Sequence, residues 1–85
     1  MNITLRFFAS VREALATSQE PLTVPEGIST VGQLRAFLIG RGGVWAEALA
    51  ESRPLRTAYN QVMCEADTAL SEACEVAFFP PVTGG

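Results

Sequence analysis

The residues best suited to chemistry stand at the C-terminal end: Phe78-Phe79-Pro80-Pro81-Val82-Thr83-Gly84-Gly85. Two aromatics close an apolar run, two prolines forbid further sheet or helix, and a glycine pair ends in a carboxylate. A carboxylate is a poor electrophile. It acts as an acyl donor only once activated, most commonly as an acyl-adenylate made from ATP. An unhindered terminal glycine suits both adenylation and attack by a sulfur nucleophile, so Gly85 is the candidate reacting residue. Gly84, also without a side chain, lets the end thread a channel too narrow for other residues. Pro80 and Pro81 stiffen the exit, and residues 80–85 reach about 20 Å at ~3.3 Å each. Val82 is a single apolar handle and Thr83 offers a hydroxyl. A small-residue terminus alone is common; one that follows Phe-Phe-Pro-Pro is not. The expected organisation is a folded body over 1–79 and a flexible extended tail over 80–85.

Little else in the chain could do chemistry. It has no histidine, and its six basic residues are all arginine. Without lysine there is no side-chain amine for acylation, a Schiff base or an isopeptide bond. Without histidine, acid–base groups near neutral pH must come from partners. The two cysteines, Cys64 and Cys74, are too few for a disulfide framework. No metal site is expected without histidine or close cysteine pairs. Cys64 reads as a small buried hydrophobe; Cys74, in a polar context, is less settled. Net charge is −3 and pI about 4.7. That argues against a nucleic-acid partner and is compatible with docking on a basic protein surface. No apolar run approaches the ~20 residues of a membrane helix. The alternating start Met1-Asn2-Ile3-Thr4-Leu5-Arg6 is unlike a signal peptide. A cytoplasmic protein without membrane association is expected.

Something must position that end. At 85 residues with 48% hydrophobic content, the chain can build one small domain with a thin core. Residues 2–8 alternate as a half-buried strand, with Ile3, Leu5 and Phe7 on one face and Thr4, Arg6 and Phe8 on the other. Ser10 with Glu13 reads as a capping box, which predicts a short helix to about Ala16 with Val11, Ala14 and Leu15 inward. Residues 20–24 form a second strand, at a sheet edge because Pro21 has no N–H. Thr30 with Gln33 is a second capping box, and Val31, Leu34, Phe37 and Leu38 make 30–39 the principal helix. Gly40 is its expected left-handed cap. Residues 44–51 resume helical spacing with Trp45 as a core anchor. Residues 55–59 and 62–65 are strands around Asn60-Gln61, 67–73 is a loop, and 75–79 is the last strand.

The most apolar strands, the first and last, belong at the centre, side by side and parallel, with helix 30–39 across one face. That is an α+β fold with a mixed sheet, a β-grasp or ubiquitin-like roll; a ferredoxin-like split βαβ is the alternative. The alternation then puts Phe8, Met63 and Phe79 together on the face away from the helix. An aromatic and methionine cluster on an open sheet face suggests a protein interface, with Arg12 as a polar contact at its rim.

The ending Glu75-Val76-Ala77-Phe78-Phe79-Pro80-Pro81-Val82-Thr83-Gly84-Gly85 closely resembles the MoaD-type sulfur carriers, the small subunits of molybdopterin synthase. So do the start, Leu5-Arg6-Phe7-Phe8-Ala9-Ser10-Val11-Arg12-Glu13, and Asn60-Gln61 between two strands. Where this family commonly has an Asp-Gly-Asp-Glu-Val turn, this chain has Glu72-Ala73-Cys74-Glu75-Val76, a change that bears on the turn and not on the tail. The resemblance implies that an activating enzyme adenylates Gly85 with ATP and that a sulfur donor converts the adenylate to a thiocarboxylate. It implies that residues 80–85 then enter the large subunit of a heterotetramer of two small and two large subunits. There the sulfur attacks cyclic pyranopterin monophosphate, and two transfers build the molybdopterin dithiolene. In this scheme the chain binds no cofactor and is a non-catalytic sulfur-donor subunit of a sulfurtransferase. Its partner-binding residues would be Phe8, Arg12, Met63, Phe79, Pro80, Pro81, Val82 and Thr83. Neither cysteine is assigned as the sulfur carrier. Two other readings share the carboxylate chemistry: a carrier for another cofactor pathway, and a ubiquitin-like modifier joined through Gly85 to lysines of other proteins.

Overall fold

The alternation at the start produces the expected strand. In the computed structural model, which describes residues 1–81, β1 spans Asn2–Phe7 with Ile3, Leu5 and Phe7 buried. It is followed by α1 (Ala9–Leu15), β2 (Gln19–Thr23), α2 (Val31–Ile39) and α3 (Gly43–Ala48). Three strands complete the chain: β3 (Arg56–Tyr59), β4 (Val62–Cys64) and β5 (Glu75–Phe79). The sheet order is β2-β1-β5-β3-β4, with β1 and β5 parallel at the centre and the other pairs antiparallel. This is a β-grasp, ubiquitin-like fold of the α+β class. Pro21 sits on edge strand β2, as its missing donor requires. No helix among the described residues is long and apolar enough to cross a membrane.

One face of the sheet carries the core. Leu5, Phe7, Val76 and Phe78 meet Val31, Leu34 and Leu38 of α2 and Leu49 after α3, all at most 1% exposed. The Phe7 and Phe78 rings stack at 6.1 Å across the central parallel pair. Trp45 is a half-buried anchor, its ring edge-on to Phe7 at 5.6 Å. The Arg41 guanidinium lies over Trp45 and makes a two-pronged ion pair with Glu20 of β2. That arrangement ties the end of α2 to the sheet edge.

Helix α2 begins where its capping box predicts. Gln33 N–H donates to Thr30 Oγ1, and the Gln33 side chain accepts from Thr30 N–H. The other free donors of the first turn go to the loop after β4: Val31 N–H to Thr68 O and Gly32 N–H to Ala66 O. A Cβ on Gly32 would lie 3.1 Å from Ala66, so the close approach of loop and helix depends on glycine.

Five local expectations change. Ser10 is no N-cap: the Phe8 N–H still bonds to Phe78 O across the sheet, and the chain then turns directly into a helix starting at Ala9. Ser10 falls inside the first turn, and Ala14 faces solvent. Gly40 is right-handed (φ −62°); the left-handed break comes at Gly42 (φ 76°), which opens α3. Helix α3 is shorter than 44–51, because the Arg35 side chain binds the Leu49, Ala50 and Arg53 carbonyls. The cysteines exchange places: Cys74 is buried at 2% exposure, while Cys64 is half-buried against Thr57.

Cys74 is buried because its turn is pinned to the sheet. Ala73 N–H donates to Asn2 O, Thr4 N–H to Cys74 O, and Cys74 N–H closes the turn on Ser71 O. Ala73 pays a conformational penalty here, with φ 65° at a turn position that glycine ordinarily fills. The left-handed region costs a non-glycine residue about 1–2 kcal/mol; glycine loses part of that in unfolded-chain entropy. Ala73→Gly is expected to raise stability by about 0.5–1 kcal/mol, measured by urea denaturation. An unchanged or lowered midpoint would show that Ala73 is not strained.

Candidate functional site

Among the described residues no helix lies over the opposite face of the sheet. The register runs Arg6, Ala77, Ala58, Met63 straight across β1, β5, β3 and β4, so these four side chains share that face. Two small residues lie in the middle of the row with tall ones around them. The result is an apolar groove of about 420 Å³. Ala58 and Ala77 form its floor. Phe8, Ala9, Phe79 and Pro80 line it, with Met63, Gln61 and Glu75. Phe8 and Met63 remain 41% and 54% exposed, whereas single large apolar side chains of the core are nearly dry.

Each wall has a local cause. Phe8 stands at the strand-to-helix junction, tied by its N–H to Phe78 O while its carbonyl accepts from Val11 and Arg12 N–H. Its ring meets Phe79 edge to face at 6.4 Å. Met63 and Gln61 are placed by the β3–β4 hairpin, a two-residue loop closed by the Tyr59–Val62 pair, with Asn60 (φ 48°) and Gln61 (φ 68°) both left-handed. Asn60 also locks the hairpin to β5: its N–H donates to Glu75 O, and its Oδ1 accepts from Glu75 N–H, each at 2.8 Å. The turn that brings Met63 to the groove is thus fastened to the strand that carries Ala77 and Phe79.

Phe8, Met63, Phe79 and Pro80 therefore converge on one groove. Arg12 does not join them. It is exposed on α1 and is not among the lining residues. The arginine beside the groove is Arg6, paired with Glu75 at 3.4 Å and 5.2 Å from the Phe8 ring centre. Pro81 is half-buried next to Pro80 and is not among the lining residues. Val82, Thr83, Gly84 and Gly85 lie outside the described residues. Alternation alone could have nominated Arg6, which shares its parity with Phe8, and Ala77, which shares it with Phe79. Ala58 and Gln61 become visible only with the strand register.

A second depression of similar volume lies between α2 and the β3–β4 hairpin, lined in part by Arg35, Arg56, Glu65 and Cys64. Its more buried cation, Arg35, is already committed to three backbone carbonyls at the end of α3. The apolar groove, contiguous with the C-terminal segment, is the better candidate for a protein contact.

The ThiS family model matches residues 5–85. The molybdopterin synthase sulfur carrier subunit of Escherichia coli is 41% identical over 83 residues, covering 98% of this chain and 99% of that protein. The sulfur carrier subunit of Haemophilus influenzae is 34% identical with the same coverage. Among solved structures, a protein–protein complex of subunits 1 and 2 of molybdopterin-converting factor from Helicobacter pylori contains a similar chain. Its TM-score is 0.66 at 23% identity, with both chains fully covered; at that identity the likeness is one of fold. Matched along nearly its whole length, including the residues up to Gly85, this chain belongs to the ThiS family.

Proposed function

We propose that this protein is the sulfur carrier subunit of a molybdopterin synthase. The observation that carries the reading is the full-length match to sulfur carrier subunits of two organisms, within a family match that runs through the glycine pair. Gly85 is adenylated by an activating enzyme, its carboxylate displacing pyrophosphate from ATP. A sulfur donor then displaces AMP and leaves a thiocarboxylate. Residues 80–85 deliver that sulfur to cyclic pyranopterin monophosphate in the large subunit, two transfers completing the dithiolene. The β-grasp body over 1–79 acts as holder and docking piece, and the groove beside Pro80 receives the large subunit.

The test is intact-mass measurement after incubation with ATP, an activating enzyme and a sulfur donor. Replacement of one oxygen by sulfur at the C-terminus is expected. An unchanged mass, or a stable conjugate to a lysine of another protein, overturns the carrier reading. The groove is tested separately. Phe79→Ala removes the ring that backs Phe8 and is expected to weaken binding of the large subunit by about 1–3 kcal/mol, the range of a buried interface aromatic. Unchanged affinity by calorimetry would place the interface elsewhere.

A further inference from the structure

Arg6 stands on the open face of β1, paired in register with Ala77 of the groove floor. Its guanidinium touches two walls of the groove at once: it lies 5.2 Å from the Phe8 ring centre, and NH1 donates to Glu75 Oε1 at 3.4 Å. Its own hydrogen bonds do not explain this position. Among the described residues Nε is buried without an acceptor, and 3.4 Å is long for a charge-assisted bond, which is ordinarily about 2.7–2.9 Å. A buried donor left unpaired is costly, and such exceptions gather at functional sites. The ring contact, at 5.2 Å, lies within the ~6 Å range over which a cation is attracted to an aromatic face.

The ring needs that support. Phe8 is 41% exposed at the edge of a floor made of alanine methyls. An unsupported aromatic there would gain by lying over Ala77 and Ala58, burying its face and closing the groove. Phe79 meets only an edge of the pair, at 82° between ring planes. The cation against the ring opposes the collapse.

We propose that Arg6 is a positioning residue of the docking surface, one that holds the Phe8 ring upright so that the alanine floor stays open for an apolar side chain of the partner. The role rests on the reading that the groove receives the large subunit. Once that subunit covers the groove, the cation–ring contact is shielded from water and strengthens.

The test uses the full chain and a molybdopterin synthase large subunit. Calorimetry compares wild type, Arg6→Gln, Arg6→Lys, Phe8→Ala and the Phe8→Ala, Arg6→Gln double variant, with thermal melts of each. Arg6→Gln is expected to weaken binding about tenfold, and Arg6→Lys, which keeps a cation at the ring, less than about threefold. In the Phe8→Ala background, Arg6→Gln should change affinity less than about twofold, because the ring it acts through is gone. A further tenfold loss in that background overturns the role and makes Arg6 a direct contact of the partner. Equal affinities of wild type and Arg6→Gln overturn it as well. A wild-type chain that does not bind the subunit overturns the proposed function, an outcome distinct from either. Should Arg6→Gln not fold, NMR on Arg6→Leu and wild type reads the ring directly. Phe8 ring protons are expected to approach the Ala58 methyl more closely in the variant, and identical contacts overturn the proposal.

Discussion

A chain lacking Gly85, or carrying one residue after it, is expected to fold normally and to donate no sulfur. Every described contact of the body is complete without the last residue: the core closes at Phe78, and the last strand ends at Phe79. Unfolding free energies from urea denaturation should therefore match wild type within about 0.5 kcal/mol, as for substitutions away from packed features. The chemistry responds in the opposite way. Removing or adding one residue moves the carboxylate by about 3.3–3.6 Å along an extended segment, whereas reacting atoms must approach to about 3–3.5 Å in good alignment. An added residue other than glycine also brings a side chain to the end that must enter the activating site. The expected loss of thiocarboxylate, read by intact mass, is complete within detection. The sulfur incorporated into cyclic pyranopterin monophosphate should fall with it. Normal transfer from either variant would remove Gly85 from the mechanism.

Much of the fold was legible because long-range order followed from short-range hydrophobicity. The first and last strands were the most apolar, and a strand buried on its core face must be covered. The parallel central pair and the helix across it follow from that requirement. Thr30 and Gln33 were legible because a capping box satisfies its donors locally. Ser10 and Glu13 present the same local pattern and failed, because Phe8 was already held by a carbonyl from the far end of the chain. The sequence around Cys74 is polar. Yet the turn that carries it is fastened to Asn2 and Thr4, seventy residues away in sequence by the Asn2–Glu72 bond, and that fastening buries the thiol. Gly40 caps α2 where its sequence position indicates, but in a right-handed conformation, since Gly42 and Gly43 just beyond it take the positive φ angles.

The site was legible by its tall residues and not by its short ones. Alternation and strand order bring Phe8, Met63 and Phe79 to one face, and the structure joins them in one groove. What makes the face concave is the pair of alanines between them, and an alanine in a strand carries no signal of its own. Arg12 was expected at the rim of that face, but it is exposed on α1 and does not line the groove. The register shows that Arg6, in the middle of a strand, is the cation that touches the groove.

That concavity yields the second large expected effect. Ala77→Leu is expected to reduce affinity for the large subunit roughly a hundredfold, about 2.7 kcal/mol, while leaving the body folded. Ala77, only 4% exposed, is on the central strand β5, paired with Arg6 on one side and Ala58 on the other, and its methyl lies in the floor of the groove. Three added carbons project into the groove and not into the core, because Val76 and Phe78 on the same strand take the core side. The overpacking cost of a core substitution, about 1–3 kcal/mol, therefore does not fall on the fold. It falls on the complex, where the new side chain occupies the volume that a partner side chain must fill. Ala77→Ser supplies the control: it adds almost no height and should bind within about threefold of wild type, the scale of a modest surface change. Calorimetry against the large subunit, with urea denaturation of each variant, separates the two costs. If Ala77→Leu binds as wild type does, the alanine floor is not where the partner sits. If it binds weakly because it is unstable, the denaturation midpoint will show it, and Ala58→Leu, one strand further from the centre, repeats the test on the same floor.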